Sequence, residues 1–170
     1  MLVLGTPWVL LRTAGLYLLI VLGLLLLLRS GVVAEWILLP FKTAVAGAAT
    51  VALNGLGVPT MHVGTEIYAA NDVAVTIDNE CTGLEAVILL LPAMLVFPSG
   101  WRSKVIGVGL GLGVMAVVNF LRVVSLCYVG TYSATALRMG HLYVWPVVVI
   151  VIALLTFLVW VERFAHPPHA

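Results

Sequence analysis

The chain has 170 residues, of which 63% are hydrophobic and only 9% charged, with a formal net charge of +1. A soluble domain carries roughly 45–50% apolar and about 25% charged residues, so this composition excludes a water-soluble globule and makes lipid the solvent. It also excludes a nucleic-acid binder, since no basic cluster is present to track phosphates.

Five apolar stretches predict an all-α transmembrane bundle, a single integral membrane domain over 1–170 in contact with membrane lipids. The first stretch covers 8–28. Val32-Val33-Ala34 behind it is faintly like a signal-peptide cleavage site, but the long apolar run and Arg29 argue for a retained helix. The second covers 36–56. A polar external loop follows over 57–83, where Glu66, Asp72, Asp78 and Glu80, with the adjoining Glu85, supply five of the seven carboxylates. Within it Val73, Val75 and Ile77 alternate with Ala74, Thr76 and Asp78, the period-two pattern of a strand. Ala70-Asn71-Asp72 reads as a turn back to a first strand over 61–68, so the loop is expected to form a hairpin. A plain solvated loop is the alternative. Gly57, Gly64 and Gly83 are candidate hinges for such a lid.

The third stretch, 84–97, contains Pro92 and is short of the roughly 20 residues that a span needs. The fourth covers 105–129, with Gly107, Gly109, Gly111 and Gly113 at spacings that let helix backbones approach closely. The fifth covers 142–161. Trp8, Trp36, Trp101, Trp145 and Trp160 fall near stretch ends, as in an interfacial aromatic belt. With strict alternation, Arg102, Lys104, Arg29, Lys42 and Arg163 are predicted to be cytoplasmic and Arg12 and Arg138 external. This assignment satisfies the positive-inside bias and sets the 57–83 loop outside. Glu35 and Glu162 are then the only cytoplasmic acids.

Three residues on separate elements carry chemistry: Cys81 at the loop end, Arg122 within the fourth stretch and His141 at the start of the fifth. Arg122 stands eighteen residues beyond Lys104, about 27 Å along a helix, which brings it level with the external mouth. An intramembrane arginine costs about 2.5–3.5 kcal/mol at mid-bilayer and marks function by default. Asn119, three residues earlier, shares its helix face and can orient the guanidinium. A thiol becomes a nucleophile as its thiolate, which nearby cations favour. Imidazole can take the thiol proton and return it to a leaving amine. A guanidinium can stabilise an oxyanion. Each residue has a plainer reading: an apolar filler, a snorkelling arginine, an interfacial histidine. Cys127 reads as filler, although it could pair with Cys81. With two cysteines and no CxxC or HExxH, neither a metal nor a cofactor is predicted.

Glu80-Cys81-Thr82-Gly83-Leu84 resembles the cysteine motif of the exosortase/archaeosortase family, usually Cys-Ser-Gly-Leu. Asn119-Phe120-Leu121-Arg122-Val123 is similar to its Asn-x-x-Arg motif, and Gly140-His141-Leu142 to its third element. The resemblance covers roughly 53–161. It implies a membrane-embedded cysteine transpeptidase that acts on the C-terminal transmembrane sorting signal of secreted proteins. The new C-terminus would pass to an envelope acceptor outside the plasma membrane. Cys81 would then be the nucleophile, Arg122 the oxyanion or positioning group, and His141 the acid/base, with Asn119, Thr82, Gly83 and Glu85 in supporting or substrate-binding roles. Thr82 departs from the usual serine but keeps a hydroxyl. The competing readings are a non-enzymatic accessory or assembly subunit and a small transporter.

Overall fold

The computed structural model describes residues 7–69 and 73–165. Five helices form in it: α1 (Pro7–Leu28), α2 (Gly31–Gly55), α3 (Leu84–Val96), α4 (Trp101–Gly130) and α5 (Ala134–Phe164). All but α3 are long and apolar enough to cross a membrane, by length and composition. The molecule is an all-α membrane bundle carrying one small sheet. Its exposed leucines and valines, concentrated on α1 and α5, form the surface that lipid covers.

Helix α3 has 13 residues, about 20 Å of rise, and its interior Pro92 is fully buried. It packs against α1, α4 and α5, so its short length is compensated by protein on three sides. Two π-helical stretches interrupt the longer helices, Ala34–Leu38 in α2 and Gly140–Val144 in α5. Each precedes a proline by two residues, Pro40 and Pro146. A proline cannot donate to the carbonyl four residues back and its ring crowds that group, so a locally widened turn accommodates it.

Between α2 and α3 lies a three-stranded antiparallel sheet in the order β1-β2-β3: β1 (Thr60–Val63), β2 (Glu66–Ala69) and β3 (Val73–Thr76). The expected first strand over 61–68 is thus two strands. Val63 pairs with Glu66, leaving a two-residue Gly64-Thr65 turn, and Gly64 has the positive φ of 60° that such turns require. The predicted Ala70–Asp72 turn lies outside the described residues.

The direction of the first helix corrects the expected alternation. Leu25, Leu26, Leu28 and Arg29, at the end of α1, line a cavity with Thr82, Leu84 and Glu85, while the Tyr17 hydroxyl donates to Leu89 O at 3.3 Å. Hence α1 runs antiparallel to α3 and brings Arg29 to the Cys81 end of the bundle, not to the Lys104 end. Leu38 lines the same cavity, and α2 continues along α4 and the sheet. Glu35, on the stretch that ends at Leu38, belongs to the Cys81 end as well, away from Glu162. The eight basic residues then divide evenly, Arg12, Arg102, Lys104 and Arg163 at one end and Arg29, Lys42, Arg122 and Arg138 at the other, because strict alternation had misplaced α1 and α2.

Trp160 also departs from expectation. It is fully buried, its Nε1 donating to Ser103 O at 2.8 Å, instead of lying in an interfacial belt. Gly107 makes room for it: a Cβ there would stand 2.5 Å from Trp160 Nε1. Gly111 likewise meets Leu91 and Leu90, whereas Gly109 and Gly113 have nothing within 4 Å, so only two of the four glycines serve packing.

Candidate active site

The chain enters the site from β3 through Ile77 and Asp78 into a single 3-10 turn, Asn79–Thr82, and leaves it through Gly83 into α3. Three contacts fix this turn. Cys81 N–H donates to Asp78 O at 3.0 Å. The Thr82 hydroxyl donates to Asn79 O at 2.5 Å. From α4, Asn119 Nδ2 donates to Cys81 O at 2.8 Å. Gly83 has a φ of 70°, and a Cβ on it would stand 2.9 Å from Asn119 Oδ1, so glycine is required by both conformation and space. A short polar clamp therefore holds the cysteine backbone while α3 starts immediately behind it.

Cys81 is buried, at 8% exposure, and it lines a cavity of about 450 Å³ between β3 and the adjoining ends of α4 and α5. His141 lines the same cavity from α5. The helix begins at Ala134, capped by Ser133 Oγ accepting from Ala136 N at 3.2 Å, so His141 lies within α5 and not at its start. It sits on the π-helical stretch, half-buried, and follows Gly140, where a Cβ would approach Leu126 to 3.0 Å. Widened turns of this kind frequently carry functional side chains. Neither Cys81 nor Cys127 is in a disulfide, and Cys127, expected to be filler, stands on the cavity wall.

The family model of the transmembrane exosortases matches residues 1–161. The chain belongs to the transmembrane exosortase family. Comparison with curated proteins and with solved structures returns no match.

In this exosortase the sequence-predicted residues divide between two places. Cys81 and His141 face one cavity, and Asn119 is bonded to the backbone of the first. Arg122 is buried at 8% exposure on the same helix stripe as Asn119 and beside Val123, which lines the cavity, but it is not itself on the cavity wall. Glu85 turns away: it lines a second cavity, of about 440 Å³, with Arg29, Asn79, Thr82 and the leucines of α1. Thr82 and Gly83 shape the turn between the two.

Two wall residues were missed in the sequence, Asp78 and Arg138. A signal existed for each. Arg138 is three residues before His141, hence on the same helix face, and Asp78 is three before Cys81 within one turn. In the sequence the two stand out only as charge, Arg138 for topology and Asp78 for loop polarity.

Proposed function

We propose that this exosortase is a membrane-embedded cysteine transpeptidase that cleaves the C-terminal sorting signal of secreted proteins. The observation that carries the reading is the meeting of Cys81 and His141, from elements sixty residues apart, on one cavity whose volume suits a peptide. Cys81 lies at the N-terminal end of α3, where the helix dipole favours an anion. Its thiolate attacks the scissile carbonyl, forming the carbon–sulfur bond. His141 takes the thiol proton and delivers it to the leaving amine as the carbon–nitrogen bond breaks. Arg122 supplies a permanent charge behind the site, which supports a role in positioning or oxyanion stabilisation. Asn119, Thr82 and Gly83 hold the Cys81 turn, and Glu85 is assigned to the second cavity. The thioester then passes the new C-terminus to an envelope acceptor or to water.

A secreted substrate would meet the enzyme outside, so the reading places the Cys81 cavity at the extracytoplasmic face of the plasma membrane; the basic residues, four at each end, supply no bias of their own. The decisive experiment is co-expression with a secreted protein bearing a C-terminal transmembrane tail. Cys81→Ala is expected to lower tail removal by on the order of 10⁴-fold or more, with the variant still folded, and mass spectrometry should find the thioester on Cys81 in the wild type. Undiminished tail removal by Cys81→Ala would sink the reading.

A further inference from the structure

Five consecutive residues, Ala74 to Asp78, line the Cys81 cavity. Successive side chains of a strand point to opposite faces, so a sheet face contributes alternate residues only. An unbroken run is what an edge presents. The topology agrees, because β3 is the outer strand of the sheet and pairs with β2 alone among the described residues. Its hydrogen-bonding parity follows from one bond: Ile77 N–H donates to Thr65 O at 2.9 Å. In an antiparallel pair the bonded residues alternate, so 77, 75 and 73 turn their backbone groups to β2. Ala74 and Thr76 turn theirs outward, to the side where the cavity lies. Leu137 and His141 of α5 form the opposite wall.

Exposed edges are normally blunted by lysine, proline or a covering element, since they invite pairing with another chain. The Val-Ala-Val-Thr sequence of β3 carries neither charge nor proline. It also leads, two residues on, into the turn that holds Cys81.

We propose that the polypeptide substrate binds as an extended strand paired to the free edge of β3, clamped between β3 and α5. This rests on Cys81 being the nucleophile. Main-chain bonding of this kind gives affinity without regard to side-chain identity, while every second side chain is read by a wall. Four residues of β3 extend about 13 Å at roughly 3.3 Å each, so three or four substrate residues pair at once. Recognition of a sorting signal would accordingly begin with an unfolded stretch next to its helix, not with the helix.

The test uses the full chain in lipid nanodiscs and an acetylated tetra-alanine vinyl sulfone. Cysteine sulfur adds to the vinyl carbon and the thiol proton ends on the carbon beside the sulfone. Labelling of Cys81 is followed by mass spectrometry, with iodoacetamide as a reagent that needs no strand pairing. Probes methylated at single backbone nitrogens should react in an alternating pattern: about tenfold slower or more at one parity, less than about twofold slower at the other. Thr76→Pro, which removes an outward N–H but leaves the β2 ladder, should slow the unmethylated probe similarly relative to iodoacetamide. Labelling that ignores the methylation position and Thr76→Pro would overturn the strand docking while leaving the nucleophile in place. A Cys81 that reacts with neither reagent in the folded chain would instead overturn the nucleophile, and the docking with it.

Discussion

The two ends of the bundle share a buried apolar cluster and differ in the polar groups and cavities beside it. At the Trp160 end the helices approach closely. Trp160 fills the notch at Gly107, and Phe97 stands edge-on to both Trp160 and Phe157, at ring-centroid distances of 5.7 and 5.9 Å. Leu90, Met94 and Met115 complete an apolar cluster with almost no exposure. At the Cys81 end the same α4 carries Asn119 and Arg122 into the interior, and two cavities open on either side of the Asn79–Thr82 turn. Buried polar groups are expensive in an apolar interior. Both ends carry a close-packed apolar cluster, but only the Cys81 end adds a buried amide and guanidinium beside cavities open to a substrate.

Substitutions at the two ends should therefore differ in kind. The largest expected effect on stability is Trp160→Ala, which empties a fully buried site and removes the indole N–H that donates to Ser103 O. Thermal unfolding in detergent should show a loss of about 3–5 kcal/mol, with tail removal falling only as far as the folded fraction does. Next is Gly107→Ala, whose new methyl must displace the indole; a loss of about 1–3 kcal/mol is expected by the same measurement. An unchanged melting curve for either variant would break the contrast. Asn119→Ala sharpens it from the other side. It removes one hydrogen bond to Cys81 O, about 0.5–1.5 kcal/mol of stability, yet tail removal should fall well beyond the change in folded fraction because the cysteine turn loses its anchor. Gly109→Ala, with open space around the new methyl, should raise stability by about 0.5–1 kcal/mol and leave processing alone.

The smallest expected effect lies on the sheet. The hydrogen bond from the Tyr68 hydroxyl to the Glu66 carboxylate, reinforced by the negative charge, raises the Tyr68 pKa above its ordinary value of 10.0. A raised folded-state value favours the folded, protonated form at neutral pH, and that support is lost as pH rises through the shifted value. Glu66→Gln should bring the Tyr68 titration back toward 10.0, seen as a difference in tyrosinate absorbance between variant and wild type.

Several features were readable from residue order. An apolar run must form a helix in lipid, because no water is there to bond its backbone, so the long helices and the lipid-facing chemistry followed from composition. The cysteine, asparagine and histidine motifs stood at positions that a count of residues could bring to one level. The alternation over 73–78 showed β3, and the spacing of Gly107 and Gly111 showed a close helix approach.

Other features depended on packing. Strict alternation assigned Arg29 to the wrong end because hydropathy measures length and not direction; the direction of α1 is set by its contact with α3 at Leu89 and Glu85. Trp160 read as a belt residue, since amphipathic rings suit an interface, until Gly107 gave it a slot in the interior. Glu85 neighbours Cys81 in sequence but faces the second cavity, because the left-handed Gly83 turns the chain between them. Arg138 and Asp78 reach the cavity only through the folding of β3 against α4 and α5. Residue order thus determined which groups are buried in lipid and which chemistry the chain carries. The tertiary structure decided which of those groups share a cavity, since a shared cavity depends on contacts between segments far apart in sequence, which local periodicity does not encode.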